Sequence, residues 1–270
     1  MPYIAGIDEA GLGPLLGPLA SAFSLFKVED DAPLESLANL DLWKRLDPFF
    51  TRDRKTLSQS QGARIAVADS KQIYSPSKGV APLEEGVLSL LSGTAQSPVV
   101  PDFSGYWDAV SLVPRKELAA YPWYKNHELS LPRDALADKL SILGKQAAAH
   151  MASRELRLLK LGALPVMEGE FNRLMDAHNN KADAHCACVC SVIQGLWKRA
   201  GELAVVCDHL GARMRYEAAL RQHLKPDSVE VLEEREEHSA YRLKRGTNEL
   251  YISFRVKADD TSFAAALASM

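Results

Sequence analysis

The chain has 270 residues, with 32 lysines and arginines against 35 aspartates and glutamates, for a formal charge of −3. That balance excludes a histone-like or polybasic binder, and an apolar fraction of 47% with 25% charged residues excludes a disordered or collagenous chain. A packed core is expected, in one large domain enlarged by insertions. No apolar run approaches the roughly 20 residues that span a bilayer, and MPYIAGIDEAG lacks the basic start of a secretory signal. The four cysteines, three of them in CACVC, do not form the spaced framework of a secreted disulfide protein. The expectation is a reduced, cytoplasmic monomer with no membrane partner.

In chain order, the run from Tyr3 to Asp8 (YIAGID) predicts a strand, followed by a turn punctuated by Gly11, Gly13, Pro14, Gly17 and Pro18. A second strand is predicted from Ala20 to Val28, then an acidic loop to Ser36 and a mixed inserted segment around Trp43 to Gln61. After Asp69-Ser70-Lys71, the pair Ser75-Pro76 has the form of a helix start, and Val80, Leu83, Val87, Leu88 and Leu91 follow at helical spacing. Residues 93–132 are rich in Pro, Gly, Ser and aromatics and predict a structured excursion outside the core. The spacing of Leu136, Leu140, Leu143, Ala147, Met151 and Leu159 predicts a helix from Pro132 to Leu161, with a short strand around Leu164 to Glu168. A second helix is predicted from Lys181 to Arg199, and Leu203 to Cys207 (LAVVC) reads as a strand buried on both faces. Beyond it come a helix near Met214 to Leu224 and strands near Val229 to Leu232, Ala240 to Leu243 and Leu250 to Val256. The alternation predicts an α/β fold with a mixed central sheet flanked by helices, and insertions at about 29–62, 93–132 and 214–246.

Several strands end in acids. Asp8 and Glu9 end the first strand before a glycine-rich turn, Asp208 ends LAVVC, and Asp259 follows the last strand. Acidic strand ends can converge on one rim of an α/β sheet. Hard carboxylate oxygens without histidine suit Mg²⁺ or Mn²⁺ rather than zinc, and two such ions serve phosphodiester hydrolysis. For DEAG alone, a strand-terminal acid pair making local turn bonds explains the residues equally well.

The thirteen residues from Gly6 to Pro18, GIDEAGLGPLLGP, resemble the GIDEAGRGPLAGPV signature of the type 2 ribonucleases H, ribonuclease HII and its relative HIII. Asp69-Ser70-Lys71 is similar to that family's DSK motif. Asn180 with its helix, VVCDHLG around Asp208, and Lys257-Ala258-Asp259 with Ser269 ten residues on resemble its later segments. The resemblance runs from Tyr3 to Met270 and implies a ribonuclease H-like fold and a two-metal endonuclease. Its substrate would be the RNA strand of an RNA/DNA hybrid or a ribonucleotide embedded in DNA, cut to leave a 5′-phosphate. It implies Asp8, Glu9, Asp208 and Asp259 as catalytic, metal-binding acids, the spacing to Ser269 selecting Asp259 over Asp260. Gly11, Leu12, Gly13, Ser70 and Lys71 would contact the substrate.

The chain departs from that pattern in four places. Leu12 stands where the family carries a basic residue, and His209 where ribonuclease HII has glycine. The acidic EVLEEREEH falls in an apparent inserted subdomain, and SFAAALASM ends just inside the last family segment, before the helix and stacking tyrosine that the resemblance implies. These departures favour, as alternatives, a degenerate non-catalytic nucleic-acid binder or a nuclease of altered substrate preference. Among weaker signals, CACVC on a helix cannot converge three sulfurs, since only Cys186 and Cys190 share a face, so small core residues are expected. His185 and His209 either assist proton transfer near the active-site strands or, the favoured reading, are surface or loop histidines. Arg213 faces either a phosphate or solvent. Trp107, Tyr121, Trp123 and Tyr124 with Lys125 form either a base-stacking platform or a local aromatic core.

Overall fold

The computed structural model describes residues 1–11, 17–53, 64–74, 76–77, 79–95, 100–125, 127–178, 180–211 and 213–270. Leu12, Gly13 and Ser75, three positions singled out above, lie outside the described residues. The chain forms a mixed α/β structure around a seven-stranded sheet with helices on both faces. Strand β1 (Tyr3–Ala10) lies between β2 (Leu19–Val28), which it pairs antiparallel, and β6 (Glu202–Asp208), which it pairs parallel. Strand β5 (Leu156–Val166) adds antiparallel outside β2. On the other side, β9 (Asn248–Arg255) runs parallel to β6, and β8 (His238–Arg245) and β7 (Ser228–Glu234) continue antiparallel to the edge. Short strands β3 (Phe50–Thr51) and β4 (Ile65–Ala66) pair separately.

Alternation along β1 and β6 divides the core in two. Ile4 with Ala204 and Val206 faces one layer; Ala5 and Ile7 with Leu203, Val205 and Cys207 face the other. The first layer is covered by α1 (Leu34–Ala38), α2 (Leu42–Arg45), α4 (Ala81–Ser92), α6 (Ala137–Ser153) and the C-terminal α11 (Phe263–Ser269). The second is covered by α8 (Lys181–Ala200) and α9 (Glu217–Leu224). Helix α8 is bounded by its own sequence. The Asn180 side chain accepts from the Asp183 amide at 2.8 Å, and Gly201 closes it at φ +76°.

Several expectations change. The helix predicted from Pro132 to Leu161 is α6 followed by β5. Glu155 breaks it at φ 59°; Leu156, Leu158 and Leu161 are buried strand positions, and Leu159, counted in the helical stripe, is exposed. The helix predicted to open at Ser75-Pro76 begins at Ala81, with Pro82 in its first turn. The 214–246 stretch is no separate subdomain: Tyr216, Leu220, Leu224, Tyr241 and Leu243 are fully buried in the second layer, and β7 and β8 extend the main sheet. His185, expected at the surface, is 1% exposed. The segment around Trp43 and the 93–132 excursion also reach inward, burying Trp43, Leu46 and Phe50, and Trp107, Val110 and Leu118.

Helix α11 is buried from Phe263 to Ala268. It sits so close to β1 that a Cβ on Gly6 would stand 2.0 Å from the Ala264 carbonyl carbon, and the Ser24 hydroxyl donates to the Ala264 carbonyl at 2.7 Å. Neither partner at Gly6 can give way, because both are backbone. Gly6→Ala should therefore cost about 3 kcal/mol or more by overpacking, and Ser24→Ala about 1 kcal/mol for one buried hydrogen bond. Urea denaturation midpoints measure both, and a Gly6→Ala protein as stable as wild type would contradict the close approach.

Candidate metal centre

The parallel register pairs Ile7 with Cys207, so Asp8 and Asp208 leave neighbouring strands at the same level. By alternation, Asp8 and Asp208 continue the α11-side rows, whereas Glu9 continues the α8-side row of Ala5 and Ile7. At the strand ends the three meet: ligand oxygens of Asp8, Glu9 and Asp208 lie within 4.8 Å of one another. Among the described residues, no other set of three metal-ligating side chains comes so close together.

Asp259 is outside that set. It lies in the first turn of α10 (Ala258–Thr261), near enough that its charge acts on Asp8, while burial and then the charges of Asp69, Asp208 and Asp260 hold its own carboxyl above the usual range. The turn is tied to the site, since the Ala258 amide donates to Asp208 Oδ1 at 2.9 Å. Asp260 instead accepts from Gln72 Nε2 at 3.2 Å. Of the two neighbouring acids, it is thus Asp259 whose charge acts on Asp8.

The Asp69-Ser70-Lys71 segment is brought to the same rim at the start of α3 (Ser70–Ile73), where Asp69 caps the Lys71 amide at 3.0 Å. Ser269, at the end of α11, links it to the acids. Its hydroxyl lies 3.4 Å from both the Ser70 amide and the Ser70 hydroxyl and hydrogen-bonds Asp8. Sequence reading used Ser269 only as a spacing marker, because a contact across 261 positions leaves no local signal. Lys71 is close enough for its charge to favour ionised Glu9.

Gly11, at φ +89°, leaves no room for a side chain, since a Cβ would fall 2.3 Å from the Pro18 carbonyl oxygen. Arg213 is not directed at the acids: its guanidinium pairs with Asp183 in the first turn of α8. The His209 ring bonds the Gly211 carbonyl through Nδ1 at 2.7 Å. Burial pushes His185 down to about 4, so it is neutral. The free Cys190 thiol donates a hydrogen bond to Cys186, and Cys188 packs with Leu19 and Val166. Lys125, on the exposed aromatic loop, is not among the residues whose charge acts on the carboxylates.

The acids are under-compensated. Burial, and then repulsion from Asp208 and Asp259, outweighs the Ser269 and Glu9 amide hydrogen bonds and raises Asp8 to about 6. Burial and the charges of Asp8 and Asp208 raise Glu9 to about 7. Glu9 Oε2 is buried without a hydrogen-bond partner. An all-oxygen donor set with a buried, unsatisfied carboxylate oxygen fits a hard divalent cation. Comparison with family models, curated proteins and solved structures finds no match. No helix among the described residues is long and apolar enough to cross a membrane.

Because the folded protein holds protons on Asp8 and Glu9 that the unfolded chain has released, these groups make folding less favourable as pH rises from about 4 to 7. A bound cation competes with the same protons. Without divalent ions the melting temperature should thus fall between pH 5 and pH 8, a fall lessened in Asp8→Asn/Glu9→Gln. Added Mg²⁺ should raise it more at pH 8 than at pH 5. Equal Mg²⁺ shifts at both pH values would count against a carboxylate site.

Proposed function

We propose that the chain is a divalent-cation-dependent endonuclease on a ribonuclease H-like fold. Its substrate would be the RNA strand of an RNA/DNA hybrid or a ribonucleotide embedded in DNA. The observation that carries this reading is the convergence of Asp8, Glu9 and Asp208 at the ends of adjacent parallel strands. The resemblance of Gly6 to Pro18 and of Asp69-Ser70-Lys71 to the type 2 ribonucleases H supports it, as does the placing of Ser70 and Lys71 beside the acids.

Asp8, Glu9 and Asp208 would hold Mg²⁺ or Mn²⁺, with Asp259 adding negative potential or completing the ligand set. Two such ions supply activation of a water and stabilisation of the leaving 3′-oxygen when bound. The protein's own part is positional. Paired strands fix Asp8 and Asp208, the Ser269 hydroxyl orients Asp8, and the Ala258 amide orients Asp208. Lys71 offers a point charge to a backbone phosphate, and Gly11 lets a substrate strand approach the backbone. A second reading, nucleic-acid binding without turnover, is favoured by the position of Asp259 outside the close set.

Cleavage should be assayed on an RNA/DNA hybrid, a duplex with a single ribonucleotide, duplex DNA and single-stranded RNA at one salt concentration, with Mg²⁺ and with Mn²⁺. Wild type should cut one or both ribonucleotide-containing duplexes, and Asp8→Asn should lose on the order of 10²–10³-fold or more, as when a single transition-state contact is removed. Asp8→Asn activity equal to wild type would sink the assignment. Hybrid binding with no cleavage by either protein would establish the second reading.

A further inference from the structure

Next to the carboxylates lies a cavity of about 380 Å³, within the range of small-ligand sites. Asp8, Glu9, Ser111 and Ser269 are polar residues of its lining, and apart from two tyrosines the rest is apolar. One side is lined by small residues of β2 and β5, Ala20, Ala22 and Ala163, with Gly162, whose missing side chain makes room for the Phe23 ring. Its outer wall comes from α5 (Phe103–Val110) and the 3-10 turn Pro122–Tyr124, in the aromatic stretch that interrupts the chain between α4 and α6.

Phe103, Tyr106, Trp107 and Tyr124 all line it. The Phe103 and Tyr124 rings are parallel within 3°, with centroids 6.5 Å apart, so their faces share one orientation. The wall is braced from behind, because Trp107 Nε1 donates to the Val113 carbonyl at 2.8 Å and the Phe103 edge meets the His127 ring. Of the aromatics singled out in the sequence, Trp107 and Tyr124 face this cavity. Tyr121 lines a different one, and Trp123 is 58% exposed.

An aromatic, apolar chamber with cation-seeking carboxylates at its mouth suits a ligand that joins a flat ring to an anionic oxygen group. A nucleotide has that chemistry; an apolar amino-acid side chain has only the ring. Aromatic side chains accept any base, because every base has a π face. We propose that the cavity receives an unstacked nucleobase of the substrate strand, seated against Phe103, Tyr106 and Tyr124 while its sugar-phosphate lies at Asp8 and Glu9. The proposal rests on the nuclease reading and adds a base subsite to it.

The test reads binding rather than turnover. Adenosine 5′-monophosphate is titrated into the wild-type protein with and without Mg²⁺ and followed by saturation-transfer-difference NMR. The expected result is saturable transfer that is stronger to the adenine protons than to the ribose protons. Tyr124→Ala should raise the half-saturating concentration about tenfold, the scale of one lost base–aromatic stack, and Tyr124→Phe should restore it. Ala163→Leu, which fills the side lined by β2 and β5, should match Tyr124→Ala and serves if that variant fails to fold. Absence of transfer, displacement by ribose 5-phosphate as readily as by adenosine, or unchanged half-saturation in folded Tyr124→Ala and Ala163→Leu overturns the base pocket. A protein that binds adenine as described yet cuts no ribonucleotide-containing duplex keeps the pocket and loses the nuclease reading.

Discussion

The close contact of α11 with β1 is the constraint on which the rest depends. At Gly6 the helix backbone occupies the volume that a side chain would fill, and at Gly86 of α4 a Cβ would meet the Met270 side chain at 2.4 Å. The helix is thereby pressed between the central strand and α4. That seating delivers Ser269 to both Asp8 and Ser70, and it places Leu267, Ala268 and Met270 along the cavity beside the acids. One packing event thus organises the carboxylate rim, the Asp69-Ser70-Lys71 turn and the chamber next to them. Phe263, at the helix start, anchors it by edge contacts with Phe26, Trp43 and Phe50, so residues from the segment around Trp43 contribute to the site at a distance.

Much of this was legible from local pattern. YIAGID and LAVVC are short apolar runs ending in acids, and they became the two adjacent parallel strands whose ends carry Asp8 and Asp208. Asn180, with a helical stripe behind it, became a capped helix. What the sequence hid was non-local or coincidental. The end of α6 rests on Glu155, a non-glycine residue in left-handed conformation, and the strand after it repeats leucine at intervals that a helix also shows. The acidic run in β7 looked foreign to a core because it occupies the sheet edge, where Val229, Leu232 and Glu233 are half-buried, the others are exposed and the register shifts after Val231. The aromatics of residues 93–132 show no sustained period, since they are divided between the eight-residue α5 and short 3-10 turns.

The two sides of the sheet make unlike contributions to the rim. Asp8 and Asp208 rise from the α11 side, where Ser269 and the Ala258 amide hydrogen-bond them. Glu9 rises from the α8 side, where its Oε2 finds no partner. A site built this way needs both layers seated, yet its least satisfied oxygen is on one of them. Burial raises Asp8 and Glu9 alike, and the charge of Asp208 adds to it at both.

The cysteines beneath Glu9 fit that picture. Cys207 is fully buried, and burial together with the charges of Glu9, Asp208 and Asp8 pushes its thiol well above the ordinary value. Cys190 is pushed up too, chiefly by donating to Cys186. A metal would need a thiolate, and the carboxylates overhead oppose one at Cys207; Cys186, by contrast, is lowered, chiefly by the hydrogen bond from Cys190. A protonated Cys207 thiol fills space as a small apolar group without adding negative charge to a rim already short of compensation.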